Sequence, residues 1–400
     1  MKPCRGQPWE DLVTRNVQVV LFASILFGVA VGIYDFALPY YLQAQRISFA
    51  QMGYIFAISS AAMFLVRIYL GNLSDRLGRK LFYSLALAIS AVSNALTACA
   101  IRIAPLIGLK SLREAALFTR EIMHPVLLYE QAPGKFLTFI GATRGMEYLC
   151  QGVGTMAAGL LMAVGFRFIF GISGGLLALA FIAFTLIFHE DTRPPASSET
   201  IGLRGLFSFD LSPNLKLIAV SSFIFSLGLS ISHCFIMPLF FSQKFGASKP
   251  TVAVILMVHR FSLAVPMVFA GLIPRRHFRA AYIWPLLAEG AAISLSALIP
   301  GLLPAALVWL LHDFIGASLW VPVQNVIIQE FARPNARGSD VSKTLALGAL
   351  GGIAGPFVAG YLAPLSISAP FFVSGIITIL AVIPIFKLRL DVTAAEAPGQ

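Results

Sequence analysis

The amino-acid sequence predicts an all-α membrane protein with twelve transmembrane helices in two pseudo-symmetric six-helix bundles. Hydrophobic residues make up 58% of the 400 residues and charged residues only 12%, with a mean hydropathy of +0.83. Soluble domains carry about 25% charged residues, so most of this chain is expected to be surrounded by lipid. Apolar runs of the roughly 20 residues that cross a bilayer recur along the whole sequence.

One polar stretch divides the apolar runs into two sets of six. It begins at His189 as "HEDTRPPASSETIGLRG", in which Pro, Ser and Gly crowd together as they do in linkers. We therefore predict an N-terminal bundle at 1–189, a cytoplasmic linker at 190–213 and a C-terminal bundle at 214–400. The predicted spans are 17–42, 49–70, 81–101, 103–129, 136–163, 166–189, 214–241, 250–273, 280–299, 302–329, 340–363 and 368–387.

Lys and Arg are unevenly distributed between alternate loops. The formal net charge is +11, and most basic residues outside the predicted spans fall in the two termini, the linker and the loops on their side. Cytoplasmic loops carry this excess, so we predict an inner-membrane protein with both termini in the cytoplasm. The polar start predicts no cleavable signal peptide, and the scattered cysteines predict no disulfide framework.

The two halves of the chain carry related patterns. "GIYDFALPYYL" in the first span aligns with "SISHCFIMPLFF" in the seventh, which places Pro39 and Pro238 one helical turn after Asp35 and Cys234. The loop "GNLSDRLGR" corresponds to a poorer copy, "GLIPRRHFR". Because internal symmetry is typical of transporters, this repeat favours a transport protein.

The stretch "GNLSDRLGRK" lies between the second and third predicted spans. It resembles the loop 2–3 signature of the major facilitator superfamily, with Ser74 in place of a small Ala. The resemblance extends to helix count, linker and orientation, and it implies the superfamily's fold, with secondary active transport as the activity. The signature residues are Gly71, Asp75, Arg76, Gly78, Arg79 and Lys80.

The chemistry of this loop suits a tight cytoplasmic turn. Gly71 and Gly78 allow close turns, and Asp75 can accept hydrogen bonds at a helix N-terminus. The resemblance implies that the loop holds the two halves together on the cytoplasmic face and releases them during transport. The alternative is a turn that sets topology through its basic residues.

Acids and bases within the predicted spans are equal in number. Ionisable side chains are costly in lipid unless they are paired or hydrated, so they mark functional cavities by default. The acids are Asp35, Glu114, Glu121, Glu147, Glu289 and Asp313, and the bases are Arg67, Lys110, Arg113, Arg120, Arg144 and Arg260.

The resemblance implies that spans 1, 4, 7 and 10 surround a central cavity, and their polar residues are predicted to bind solute. Asp35 and Glu114 are the predicted proton-coupling residues. Asp35 lies in an apolar run without a charged neighbour in sequence, where burial would favour the neutral acid; a static pair with a base of the fourth span is the alternative. The predicted solute-binding residues are Asp35, Lys110, Arg113, Glu114, His233, His312 and Asp313.

The remaining intramembrane charges have a structural interpretation. Arg120 and Glu121 of the fourth span are predicted to form a charge network with Arg144 and Glu147 of the fifth. Glu289, on a peripheral span, is expected to be paired or to reach the membrane surface. The fifth span lacks the Gly-Pro step of the superfamily's drug antiporters, and the eleventh carries it as "GALGGIAGPFVAG", so drug antiport is not predicted.

These features together predict a secondary active transporter that moves a small solute by alternating access. Bases in the cavity-forming spans suit an anionic organic solute, and the acids suit proton coupling. Motifs of an enzyme, such as a nucleophile elbow or a phosphate-binding loop, are lacking in the sequence. No cofactor and no nucleic acid are expected; the expected partners are the solute, protons and the lipid bilayer, and the chain is expected to work as a monomer.

Two alternatives stay open at this point. Asp35, His233 and Cys234 offer oxygen, nitrogen and sulfur ligands for a transition metal. They lie at symmetry-related places similar to the metal positions of ferroportin-like exporters, which would make the chain a metal exporter. The other alternative is a membrane assembly factor that keeps the fold and moves no solute.

Overall fold

The computed structural model describes residues 8–131, 136–190, 210–267, 272–333 and 337–388. Throughout these ranges the regular elements are helices, without strands. The first six are α1 (Pro8–Ala44), α2 (Phe49–Leu77), α3 (Arg79–Thr97), α4 (Ile103–Gln131), α5 (Phe136–Leu161) and α6 (Phe166–Ile187). The next nine are α7 (Pro213–His233), α8 (Ile236–Phe245), α9 (Lys249–Met267), α10 (Phe278–Leu298), α11 (Leu302–Leu311), α12 (Ser318–Phe331), α13 (Arg337–Ala349), α14 (Gly351–Leu362) and α15 (Ala369–Leu380).

Eight helical segments of the described chain are long and apolar enough to cross a membrane. They correspond to the first, third, sixth, seventh and ninth to twelfth predicted spans. The second, fourth, fifth and eighth predicted spans are helical as α2, α4, α5 and α9, and their crossing of the membrane stays a prediction. The eight are Arg15–Ala44, Arg79–Thr97, Phe166–Ile187, Pro213–His233, Arg275–Leu298, Leu302–Phe331, Lys343–Leu362 and Ala369–Lys387.

The chain divides into two compact units. The first comprises Met1–Phe207 with Ser248–Phe261, and the second comprises Ser208–Ala247 with Ser262–Gln400. Most of the predicted linker, 191–209, lies outside the described residues, so the predicted bundle boundaries stay a prediction. In this division Ser248–Phe261, which lies within the predicted C-terminal bundle, falls in the first unit.

In the first unit, α1 packs against α5 and α6, α3 against α4 and α6, and α2 against α4. Its core is built from fully buried aliphatic and aromatic side chains such as Val20, Leu87 and Phe184. The α1–α5 contact is unusually close because glycines face backbone across it. A Cβ on Gly32 would overlap the Gln151 carbonyl, and one on Gly154 would overlap the Val29 carbonyl, so both positions need glycine.

In the second unit, α7 packs against α13, α14 and α15, and α10 packs against α15. The helix α7 starts with Pro213, which suits a first turn, after Ser212, whose Oγ accepts a hydrogen bond from the Leu215 amide at 3.4 Å. Buried Leu215, Leu286 and Trp320 belong to the core of this unit.

Two of the spans in the second unit are interrupted at polar residues. The seventh span breaks after His233, where Cys234 has a non-helical ψ of −124°, and it resumes at Ile236. The tenth span passes through a π-helical turn, His312–Ala317, between α11 and α12. The first span, by contrast, is one helix that runs through Pro39. These interruptions fix where His233 and His312 lie.

Candidate functional site: charged and histidine clusters

Arg113 is the centre of a charged cluster in the first unit. Its side chain is only 1% exposed and lies on α4. Its Nη2 donates to Asp35 Oδ1 at 2.8 Å, its Nη1 to Glu114 Oε1 at 2.9 Å, and its Nε to Asn94 Oδ1 at 3.0 Å. One guanidinium therefore links α1, α3 and α4, because each of its three nitrogens donates a hydrogen bond.

Lys110 completes this cluster one turn before Glu114. Its Nζ donates to Glu114 Oε1 at 2.7 Å and lies 4.3 Å from the centroid of the Phe56 ring. The guanidinium carbon of Arg113 lies 4.0 Å from the centroid of the Tyr34 ring. The cluster thus holds two acids and two bases, with aromatic faces on both cations.

Asp35 differs from the sequence-based expectation. It was expected to be buried, but its side chain is 44% exposed, and it pairs with Arg113. The ion pair between Asp35 and a base of the fourth span, which was the alternative expectation, is therefore formed. The pair thus joins a buried base to an exposed acid.

Arg120 forms a second cluster in the first unit, two turns further along α4. Its Nη1 donates to Glu147 Oε2 at 2.8 Å, its Nη2 to Ser24 Oγ at 2.8 Å, and its Nε to the Tyr83 hydroxyl at 3.2 Å. The side chains of Arg120 and Glu147 are 1% and 6% exposed. The guanidinium carbon is 3.7 Å from the centroid of the Phe27 ring, so this ion pair is enclosed on all sides.

Arg144 extends the network to the surface. Its Nη1 lies 3.4 Å from Glu121 Oε1 and 3.9 Å from Glu147 Oε1. Glu121 is 57% exposed, so this outer pair is far more exposed than the inner one. The structure thus brings together the four residues predicted to form a charge network between the fourth and fifth spans.

A histidine pair lies in the second unit, between the ends of α7 and α11. The Nε2 atoms of His233 and His312 are 2.9 Å apart. Asp313 Oδ1 lies 3.4 Å from His312 Nε2. Cys234 points its thiol at the Ile231 carbonyl, with Sγ at 3.7 Å from the oxygen. Three of the predicted solute-binding residues therefore form one cluster.

Glu289 also lies in the second unit, and it is buried with a hydrogen-bond partner rather than placed at the membrane surface. Its side chain is fully buried, and its Oε2 accepts a hydrogen bond from Trp320 Nε1 at 2.5 Å. Gly316 of the π-helical turn lies directly against it, since a Cβ there would come within 2.7 Å of Glu289 Cβ. The acid is thus part of the packing between α10 and the tenth span.

The family model of the Major Facilitator Superfamily matches residues 20–354, which is most of the chain. This protein belongs to the Major Facilitator Superfamily. Multidrug resistance protein 2 of Bacillus subtilis (strain 168) is 21% identical over 387 residues, covering 92% of this chain and 93% of that protein.

Two solved transporters share the fold. A crystal structure of the nucleoside transporter NupG has a TM-score of 0.76 at 15% identity, covering 93% of this chain and 98% of that one. A crystal structure of the human organic anion transporter MFSD10 has a TM-score of 0.66 at 17% identity, covering 93% and 99%. These likenesses show the superfamily fold, and membership of the superfamily makes this chain a secondary transporter embedded in a membrane.

The structure describes the second half of the superfamily's loop 2–3 signature, from Gly78 to Lys80. Gly78 has a φ of +92°, a conformation that favours glycine. The carboxylate of Glu190 accepts from the Arg79 amide at 2.8 Å and the Lys80 amide at 3.2 Å, and Lys80 Nζ donates to the Phe188 carbonyl at 2.6 Å. The surroundings of Gly71, Asp75 and Arg76 lie outside what the structure describes, although α2 runs through these positions.

Sequence reasoning missed several partners of the candidate residues. Asn94, Tyr34 and Phe56 surround the Arg113 cluster, and Glu190 binds the start of α3. An asparagine inside an apolar run was a usable signal for Asn94, because buried amides need partners. The aromatic neighbours carry no such signal, since apolar spans contain many aromatics.

Proposed function

We propose that this transporter is a proton-coupled symporter of small organic anions that works by alternating access, with Asp35 and Arg113 as the coupling pair. The observation that supports it best is the sharing of one buried guanidinium between an exposed carboxylate, Asp35, and a mostly covered one, Glu114. Exposure makes Asp35 the acid that can gain a proton and the acid that a solute can replace.

Charge balance sets the coupling. Lys110, Arg113, Asp35 and Glu114 sum to zero when all four are ionised. A proton on Asp35 removes one negative charge and one acceptor from Arg113. The buried guanidinium then carries an uncompensated charge, which is unfavourable, and a solute carboxylate or phosphate restores the balance. One proton therefore accompanies one negative charge on the solute.

The geometry of Arg113 suits an anion. Guanidinium groups bind carboxylate and phosphate through two parallel N–H donors. Tyr34 and Asn94 hold Arg113 from behind, so its Nη2 keeps its position when Asp35 leaves. The anionic solute is inferred from this arrangement, because identities of 15–21% to the named relatives carry no substrate assignment.

The test uses the purified full-length chain in proteoliposomes with an inward proton gradient. Uptake of labelled aliphatic and aromatic carboxylates, nucleotides, neutral nucleosides and lipophilic cations is measured beside an internal pH dye. We expect a carboxylate or phosphate to accumulate with acidification of the lumen. Arg113→Gln should weaken its binding about 10–100-fold, the equivalent of a lost charged hydrogen bond.

Asp35→Asn separates coupling from binding. Asn cannot change its charge, so we expect solute exchange to continue while accumulation driven by the proton gradient is lost. Asp210→Asn makes the same chemical change on an exposed loop and should behave as wild type. Gradient-driven accumulation that survives in Asp35→Asn, or transport restricted to cations, would contradict the proposal. A folded protein that moves nothing in the panel would favour the assembly factor.

We also propose the topology and state that the sequence predicts: an inner-membrane monomer with both termini in the cytoplasm and loop 2–3 holding the halves together there. The transition-metal exporter stays a prediction. Its ligands Asp35 on one side and His233 with Cys234 on the other belong to different units, and Asp35 is engaged by Arg113.

A further inference from the structure

We propose that Glu289 is a proton-binding site in the second unit: a neutral carboxylic acid that holds the π-helical turn of the tenth span closed and releases the turn when its proton leaves. Glu289 lies on α10 and is 0% exposed. It packs against Gly316 of the turn and binds Trp320, three residues beyond the turn. The acid thus contacts both the turn and the helix that follows it.

The surroundings of Glu289 favour the neutral acid. In the part of the chain that the structure describes, its carboxyl group pairs with no lysine or arginine, and its one hydrogen bond comes from Trp320. A carboxylate with a single donor inside an apolar span is costly, whereas the neutral acid can be buried there at a much smaller cost. Glu289 therefore keeps its proton while the turn is closed.

Trp320 fixes which oxygen carries the proton. Its ring stacks on Tyr282, with the ring planes 4° apart, and meets the edge of Phe225 at a centroid distance of 4.5 Å. The indole N–H can only donate, so Glu289 Oε2 at 2.5 Å is the accepting carbonyl oxygen. The proton then lies on Oε1, which is buried and has no hydrogen-bond partner among the described residues.

The contact with Gly316 couples this proton to the turn. A Cβ on Gly316 would lie 2.7 Å from Glu289 Cβ and 3.1 Å from Glu289 Oε2, so no space for water separates the carboxyl group from the backbone. An ionised Glu289 needs water or a new donor. Either can reach it only if the turn moves away. Turns of this π-helical kind recur at functional sites.

The charged groups around Glu289 act in the same direction. The turn carries His312 and Asp313, and the Asp313 carboxylate repels a negative charge on Glu289. The helices α11 and α15, which also pack on α10, carry no ionisable side chain. Tyr282 lies two turns before Glu289 on α10. The remaining ionisable groups lie near the start of α10, and they are Arg275, Arg276, His277, Arg279, Glu330 and Lys387.

This site is separate from the proposed symport. Asp35 and Arg113 belong to the first unit, and Glu289 with its contacts belongs to the second. The measurements below need no solute and no proton gradient. Failure of either proposal therefore leaves the other intact.

The first test looks for the neutral acid by infrared spectroscopy of the full-length protein in lipid at neutral pH. We expect a carboxylic-acid C=O band, resolved from the carboxylate bands, that moves when the glutamates are labelled with ¹³C at the side-chain carboxyl. The band should be lost in Glu289→Gln. It should persist in Asp313→Asn, which changes the neighbouring acid, and in Glu330→Gln, which changes an exposed acid of the same unit.

The second test measures amide hydrogen exchange in a peptide that covers the turn and Trp320. Opening that releases one proton becomes about tenfold more favourable for each pH unit. After correction for intrinsic exchange, protection in the wild type should therefore fall about tenfold per unit as pH rises. In Glu289→Gln, which keeps the shape and the neutral state, protection should not change with pH.

The outcomes decide the proposal even if a variant folds poorly, because the labelled band and the pH dependence of exchange are both measured on the wild type. Absence of an acid band at neutral pH, a band that stays unmoved by glutamate labelling, or a band lost only in Asp313→Asn would overturn the proposal. Protection of the turn with the same pH dependence in wild type and Glu289→Gln would also overturn it.

Discussion

Arg113 and Arg120 lie two turns apart on α4 and are equally buried, yet their partners differ. Arg113 pairs with Asp35, which is 44% exposed, whereas Arg120 pairs with Glu147, which is 6% exposed. The first pair is thus exposed on its acidic side, and the second is covered on both sides. Under the proposed function only the first pair would open during transport.

We therefore expect Glu147→Gln to destabilise the protein strongly. The change leaves Arg120 as a buried cation without its acid, and breaking such a pair costs about 3–5 kcal/mol. Replacing both residues, as Arg120→Met with Glu147→Leu, should cost less than the single change, because no charge is left uncompensated. Chemical unfolding in detergent measures both.

The outer pair supplies the control for that comparison. Glu121→Gln removes the partner of Arg144 at a site that is 57% exposed, and exposed pairs contribute about 0–1 kcal/mol. A cost for Glu121→Gln equal to that of Glu147→Gln would show that burial does not distinguish the two pairs.

The sequence predicted which charges belong together better than it predicted their surroundings. Helical spacing brought Lys110 and Glu114 to one face, and balanced charge indicated pairing with Asp35. The depth and rotation of α4 against its neighbours are tertiary properties, so neither the exposure of Asp35 nor the role of Asn94 could be predicted. Burial was inferred for Asp35 from apolar neighbours in sequence, which describe a helix and not its environment.

At the scale of elements, the eight candidate spans of the described chain were predictable, and the interruptions within them were not. Hydrophobic runs set the position of α1 and α6 because lipid demands an apolar length. The break after His233 and the π-helical turn at His312–Ala317 depend on contacts between helices. The turn packs Gly316 against Glu289, a contact between distant parts of the chain that the local sequence does not predict.

Gly154→Ala should loosen the α1–α5 contact. Its new methyl group would overlap the Val29 carbonyl, and overpacking of this kind costs about 1–3 kcal/mol. Gly171→Ala on α6 is the matched control, since open space surrounds that position; there, alanine should stabilise by about 0.4–1 kcal/mol. Melting temperatures that shift the same way for both variants would contradict the packing argument.

The segment between α12 and α13 gives a pH-dependent prediction. Arg333 Nη2 and Nε donate to the two oxygens of buried Asp340 at 2.8 and 3.0 Å, ahead of the candidate span Lys343–Leu362. These hydrogen bonds lower the pKa of Asp340 below its usual 3.8. The Asp340 carboxylate thus binds a proton less readily in the folded state than in the unfolded state. The resulting stabilisation is present above the usual pKa and is lost as pH falls through the lowered pKa.

We expect Asp340→Asn to lower the melting temperature at neutral pH and to flatten its decline below about pH 5. Glu330→Gln, which removes an exposed partner of Arg275, should leave the shape of the pH profile as in wild type. A wild-type slope in Asp340→Asn between about pH 5 and pH 3 would show that other groups cause the decline.

At the scale of the whole molecule, the loop signature and the repeat were sufficient to predict the superfamily, which the family model confirms over residues 20–354. Pseudo-symmetry was a weaker guide to detail. Asp35 and Cys234 occupy matching places in the sequence, but the first span is continuous there and the seventh is broken. Repeats preserve the path of the chain more faithfully than they preserve the chemistry at one position.

The predicted topology can be tested with single cysteines in a cysteine-free background. Arg46 lies between α1 and α2, on the predicted outer side, and Lys387 lies near the end of the last span. Each is replaced by cysteine in a separate variant. A membrane-impermeant maleimide should label Arg46→Cys in intact cells and Lys387→Cys only after permeabilisation. The opposite pattern, or labelling of both in intact cells, would contradict the predicted orientation.

The contacts of Glu190 and Asp210 also have a mechanical consequence. Glu190 binds the first amides of α3, and Arg333 holds Asp210 at 2.9 Å beside Asp340, so each end of 191–209 is fastened within its own unit. A pull on the chain at Glu190 or at Asp210 would therefore act first on the start of α3 or on the Arg333 contact, and only then on the helices that carry Arg113 or His312.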